Sequence, residues 1–268
     1  PVPPRKAFGL WVSEFGYKNW PQIDTLLSGL RTSRFPLDGF VLDLQWFGGV
    51  IQNNPDSAMG RLDWDRANFV DPDAKIAAYR MDDIGLTAIE ESYVNENTYT
   101  FTAMRAAGNL FAYPPNGAQC DPGSTAPVIL RDWFGQAAMI DWSNPGAGAW
   151  VHDQRRFPNL VQKGITSHWT DLGEPEKYDG NACYAGVEVT ASAPKNWHGD
   201  IHNVYAFLWN RSIWDGYFRQ RAANKQRPFT LSRSGASSKY TSSPFSNRYS
   251  LARVASSVPF LGENGSDS

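Results

Sequence analysis

The run Trp169-Thr170-Asp171-Leu172-Gly173-Glu174-Pro175-Glu176 gathers one indole and three carboxylates into eight residues. It follows Gly164-Ile165-Thr166-Ser167-His168, which reads as the approach of a short strand, so the carboxylates fall where a strand meets a loop. In a barrel of alternating strands and helices, catalytic groups project from such junctions. Carboxylates beside tryptophan suit glycoside chemistry: one attacks or stabilises an oxocarbenium-like centre, while the indole stacks on a sugar face. A lone Asp at this place equally suits the capping of the following turn.

Other strand ends carry similar groups. Asp43 and Trp46 end one apolar run, Glu90 and Glu91 lie within another, Arg233 closes a third, and Glu263 and Asp267 follow a last one. In a barrel these ends converge on one face. Carboxylates accept hydrogen bonds from sugar hydroxyls and Arg supplies fixed donors, so acids, an Arg and aromatic neighbours together describe a polyol pocket.

The elements that must position these groups alternate strand and helix. Ala7–Phe15 reads as strand one and Trp20–Arg31 as its helix, with Pro21 in the favoured first turn. Leu37–Trp46 is strand two, and a loop rich in Gly, Asn and Asp runs over Phe47–Val70. Asp71 caps a helix that starts at Pro72 and reaches about Gly85. Leu86–Val94 reads as strand three, Tyr99–Gly108 as a helix, and Phe111–Gly135 as loop. Ala137–Trp142 reads as strand four, the stretch from Asn144-Pro145 to about Gly164 as a helix, and Ile165–Asp171 as strand five. After an excursion to Asn196, a helix over His202–Gln220 leads to strand six at Pro228–Ser234. A short helix over Tyr249–Ser256 and a last strand over Val258–Leu261 complete the reading. Repeated β-then-α units with Gly/Pro boundaries predict an α/β fold with a parallel sheet, closed at this count into a (β/α)8 TIM-type barrel.

The 268 residues fit one such domain, large enough to bury a core without metal or disulfide staples. A net charge of -2 with no basic block gives no footprint for nucleic acid. No apolar run approaches the ~20 residues that cross a bilayer, so no membrane association is expected. No Cys/His cluster has zinc spacing, so neither a metal nor another cofactor is implied. Cys120 and Cys183 lie in loop text, and spacing leaves open whether they pair. The start at Pro1-Val2-Pro3-Pro4 suggests processing or excision, and many Asn, Ser, Trp and Gly with modest Lys lean toward a secreted protein. Oligomeric state is not legible.

Six segments, in order, resemble the catalytic barrel of glycoside hydrolase family 31, the α-glucosidases, α-xylosidases and α-transglucosylases. They are Ala7-Phe8-Gly9-Leu10-Trp11, Asp38-Gly39-Phe40-Val41-Leu42-Asp43, Asp141-Trp142-Ser143-Asn144-Pro145, Trp169-Thr170-Asp171 through Glu174-Pro175, His202-Asn203-Val204-Tyr205, and Arg227 through Ser234. The resemblance implies that Asp171 is the nucleophile, forming a covalent glycosyl-Asp intermediate. It implies that Asp43, Arg233 and Asp267 hold sugar hydroxyls and that Trp169 walls the subsite. Glu174, in the nucleophile motif, joins Asp171 as a catalytic candidate. Trp46 and Glu91, at strand ends beside these acids, complete the sugar-binding candidates. Asp141 suits a turn as well as the pocket, and His202 suits a helix cap.

The expected activity is that of a retaining α-glycoside hydrolase or α-glucosyltransferase on an oligosaccharide or α-glucan. Glu90 and Glu91 depart from the family pattern, and the acid/base departs further. A retaining enzyme needs a second carboxyl roughly 5 Å from the nucleophile. Family 31 is expected to supply it between the Arg-Ser strand and the final strand, yet no Asp or Glu stands between Ser234 and Gly262. Glu263 is the nearest substitute acid/base. The sequence therefore reads as a single catalytic barrel over 1–268, incomplete at its C-terminal strands and without the family's flanking β-sandwich domains. The alternatives are a trimmed barrel that binds sugar with little turnover and, more remotely, an α-glucan lyase.

Overall fold

The computed structural model describes residues 5–50, 57–121, 123, 126–188, 194–220 and 226–234. Its strands are β1 (Trp11–Ser13), β2 (Gly39–Leu42), β3 (Gly85–Glu90), β4 (Tyr93–Asn95) and β5 (Ile129–Asp132). They continue with β6 (Gly135–Met139), β7 (Ser167–Thr170), β8 (Cys183–Glu188), β9 (Pro194–Trp197) and β10 (Phe229–Ser232). The α-helices are α1 (Trp20–Thr32), α2 (Pro72–Met81), α3 (Tyr99–Ala106), α4 (Pro145–Val151), α5 (His198–Ile201) and α6 (Tyr205–Arg219).

A parallel sheet in the order β1-β2-β3-β7-β10 is the barrel wall, and it is not closed among the described residues. Local sequence sets its helices. Asn19 accepts from Gln22 N ahead of α1, Asp71 from Ala74 N ahead of α2, and Asn144 from Gly146 N ahead of α4, each with Pro in the first turn. The chain continues past α4 as a π-helix over His152–Val161 that contains Pro158. Proline has no N–H to donate there, and the wider turn relieves its clash with the preceding carbonyl.

Two strand assignments from the sequence are corrected. The run Ala137–Trp142 contributes β6, which pairs antiparallel with β4 and β5 in a separate three-stranded sheet rather than entering the barrel wall. The run Leu86–Val94 splits in two, with β3 in the wall and β4 in the side sheet, so that Glu91 and Ser92 occupy the break. The expected loop Phe111–Gly135 contains β5, and the expected first strand begins as a 3-10 turn over Arg5–Phe8. The helical and strand candidates at Tyr249–Ser256 and Val258–Leu261 lie outside the described residues.

Between wall and helices sits an aromatic core in which Trp20, Trp46, Trp64 and Phe69 are packed edge to face or tilted. Cys120 and Cys183 are joined by a disulfide that ties the loop before β5 to β8.

Candidate active site

Strand register builds the site. Glu90 of β3 pairs with Thr170 of β7, and Thr170 with Ser232 of β10. The ladder runs one residue further: Asp171 N donates to Glu90 O at 3.4 Å and Arg233 N to Thr170 O at 3.2 Å. Glu91, Asp171 and Arg233 are thereby the next row across three neighbouring strands. Alternation decides which way the row faces. The preceding row faces the helices: Glu90 meets Arg156, and Thr170 meets Asn210 of α6. Glu91, Asp171 and Arg233 therefore face the inside of the barrel, at the C-terminal ends of its strands. By the same parity Trp169 and Asp43 stand two rows below them, on the same face, because Leu42 aligns with Ala88 and Ile89 with Trp169.

The turn after Asp171 is tight. Leu172 has φ 57°, a left-handed conformation that few non-glycine residues adopt. Tyr93 anchors the loop that follows: its hydroxyl donates to Lys177 O at 3.0 Å and accepts from Lys177 N at 2.8 Å. Tyr93 carries no sequence signal of this role, since it reads as an ordinary strand aromatic.

Charge in the row is concentrated. Arg233 Nε lies 3.4 Å from Asp171 Oδ1 and donates to Glu174 Oε1 at 2.7 Å. Burial raises the Asp171 pKa; Arg233 and the Leu172 N–H pull against this, and Glu174 and Glu176 add to the rise. Burial also acts upward on Glu174, but its bond to Arg233 prevails and holds it below the usual range. Glu174 is thus an ionised anchor for the guanidinium. Asp43 is pushed up to about 6 by burial, against its bond from Leu44 N and with help from the Asp171 charge. Glu91, 1 % exposed, is pushed well above the carboxylate range by burial and by the Asp171 and Asp43 charges.

Not every sequence candidate reaches the site. Trp46 is fully buried in the aromatic core and donates its Nε1–H to Ile89 O at 3.0 Å, which leaves no face for a sugar. The reason is local: the strand ends at Leu42, and Asp43 caps a 3-10 turn over Leu44–Phe47 that rolls Trp46 inward. Asp141 fixes a turn, accepting from Ser143 N at 2.9 Å and Ala185 N at 2.6 Å. His202 lies in a 3-10 turn, its ring edge-on to Tyr178. Glu263 and Asp267 lie outside the described residues, as does the stretch 236–250 expected to hold the acid/base.

Beneath the row, Glu90 takes a bidentate fork from Arg156 at 2.8 and 2.7 Å and a third bond from His168 Nδ1 at 2.8 Å. Burial raises the Glu90 pKa, but Arg156 and His168 outweigh it, so the carboxyl is held well below its usual range. Burial holds His168 down. The neutral ring donates from Nδ1 to Glu90 and accepts the Tyr217 hydroxyl at Nε2. This buried network locks β3 and β7 to the helices directly under Glu91 and Asp171.

The profile of the glycosyl hydrolases family 31 TIM-barrel domain matches residues 1–243. The chain belongs to glycosyl hydrolase family 31. Among curated relatives it is 25% identical over 242 residues to the neutral alpha-glucosidase C of Mus musculus, covering 87% of this chain and 24% of that protein. It is 22% identical over 235 residues to an alpha-xylosidase of Saccharolobus solfataricus, covering 87% and 27% respectively. The chain thus spans about a quarter of the length of the curated relatives it matches. A family 31 dextranase of Flavobacterium johnsoniae, solved with glucose, shares the fold at TM-score 0.70 and 18% identity, over 88% of this chain and 26% of that one.

Proposed function

We propose that this chain carries the nucleophile side of a retaining α-glycosidase site, acting on α-glucosides or α-glucans with transfer to water or to a sugar hydroxyl. The observation that carries the reading is the row Glu91–Asp171–Arg233 at the inner C-terminal edge of the sheet, reached by strand register, with Asp171 in the segment whose sequence resembles the family's nucleophile motif. In the first step an Asp171 oxygen attacks the anomeric carbon, the bond to the leaving oxygen breaks, and a proton must reach that oxygen. In the second, water or a sugar hydroxyl attacks the same carbon, loses its proton, and the Asp171 carboxylate is released. Arg233, held by Glu174, keeps Asp171 anionic. Asp43 and Trp169, two rows below on the same face, supply a hydrogen-bonding group and an aromatic wall for the sugar, with Asp267 as a further contact and Glu263 as the acid/base. Localisation outside the reducing cytoplasm is part of the proposal, supported by the Cys120–Cys183 bridge.

One observation favours a second reading, a barrel that binds sugar but turns over slowly: no Asp or Glu stands between Ser234 and Gly262. Loss of one acid/base residue slows unactivated substrates by ~10²–10⁴-fold. An aryl α-glucoside with an activated leaving group and maltose, assayed side by side, separate the two. Cleavage of both at comparable rates supports the full enzyme, and cleavage of the aryl glucoside alone supports the slow barrel. If neither is cleaved and no 5-fluoro-α-glucosyl trap labels the protein while glucose still binds, the nucleophile assignment fails.

A further inference from the structure

Glu91 is the feature of the site that the retaining mechanism leaves unused. Glu91 is 1 % exposed, and its Oε2 is buried without a hydrogen-bond partner among the described residues. In the neighbouring strand of the same row, Asp171 Oδ1 is likewise buried and accepts no hydrogen bond among the described residues, where Arg233 lies 3.4 Å from it. Adjacent parallel strands lie about 4.8 Å apart, so two side chains of one row are within reach of each other. Two ionised carboxylates at that spacing in a buried site repel strongly, and such pairs hold one proton between them.

We propose that Glu91 keeps its proton at neutral pH and donates it as a hydrogen bond to the Asp171 carboxylate, so that Glu91 is the positioning residue of the nucleophile. The inference rests on Asp171 being that nucleophile. The charged groups that bear on Glu91 agree with this division of the proton. Asp43 after β2 and Asp171 and Glu176 after β7 all disfavour its ionisation, and among the described residues Arg233 after β10 opposes them. Arg233 is half-exposed and its Nε is already bonded to Glu174, so its charge is spent on the β7 loop and on Asp171. Asp171 is the better anion of the pair, because it alone has an ion pair and the bond from the Leu172 N–H. A neutral Glu91 carboxyl has one O–H to give, and Asp171 Oδ1 is an unfilled acceptor in the neighbouring strand of the same row.

The test combines infrared spectroscopy with trap labelling on the intact chain. At pH 7 the wild type shows the carbonyl band of a protonated carboxylic acid, which Glu91→Gln abolishes and Asp43→Asn leaves in place. Glu91→Gln retains an N–H donor, so its labelling rate at Asp171 stays within about 3-fold of wild type and the acid limb of labelling does not move. Glu91→Leu removes a hydrogen bond to a charged group, and labelling slows about 10- to 100-fold. A band that survives Glu91→Gln overturns the proposal. So does an acid limb that falls by a pH unit or more in Glu91→Gln, because that shift means the wild-type Glu91 was ionised beside Asp171. Glu91→Leu labelling as fast as wild type overturns it as well. Failure of the wild type itself to label, with the band present, counts against Asp171 as nucleophile and leaves the protonation of Glu91 standing on the band.

Discussion

Arg156→Met tests the platform under the site. Glu90 is 1 % exposed and Arg156 fully buried, joined by a two-bond fork, so removing the guanidinium strands a carboxylate with only a neutral His168 beside it. Breaking one side of a buried pair costs about 3–5 kcal/mol. For a domain of this size, that lowers the melting temperature by about 6–20 °C. The pH dependence carries the sharper signature. In the wild type the Glu90 pKa lies below its unfolded value, so its contribution is complete above the ordinary carboxylate range and is lost as pH falls toward the depressed folded pKa. In the variant burial outweighs the remaining bond from His168 and raises the Glu90 pKa, so protonation relieves the stranded charge as pH falls. Melting curves at pH 7 and pH 4.5 therefore show a large deficit that narrows in acid. A deficit below about 1 kcal/mol, or one of equal size at both pH values, refutes the argument that a charged Glu90 depends on Arg156.

Three further outcomes follow from the same geometry. Asp43→Asn keeps the cap on Leu44 N but removes a carboxyl whose raised pKa, about 6, makes wild-type stability fall as pH rises from the ordinary carboxylate range to that value. The variant is therefore more stable than wild type by about 1–3 kcal/mol at pH 7 and equal to it near pH 3, read by denaturant titration; greater wild-type stability at pH 7 contradicts this. Replacing Cys120 and Cys183 by Ser opens a closure of 63 residues and lowers stability by about 4 kcal/mol, with unchanged melting as the contrary result. Arg233→Met removes the guanidinium 3.4 Å from Asp171, so the acid limb of trap labelling moves to higher pH, and a limb that stays in place shows that Arg233 does not set the charge of Asp171.

Much of this site was readable from residue types because local chemistry dictated it. Asp71 before Pro72 could only begin a helix well, and Asp171 follows a strand with a turn directly behind it. What escaped the sequence depended on partners distant in the chain. The run ending at Met139 is apolar enough for a barrel strand, yet periodicity cannot distinguish a parallel neighbour from the antiparallel β4 and β5 it actually meets. Trp46 looked like a sugar platform because nothing local reveals that Asp43 ends the strand and turns the indole into the core. Glu90 and Glu91 are identical letters side by side with opposite fates. One faces Arg156 across 66 positions, and the other faces Asp171 across a strand pair.

The most direct test of the central claim is covalent trapping. Incubation with a 5-fluoro-α-glucosyl fluoride, followed by digestion and peptide mass analysis, is predicted to place one glycosyl group on Asp171, and Asp171→Asn to abolish it. A label on any other carboxylate, or one that persists in Asp171→Asn, contradicts the account.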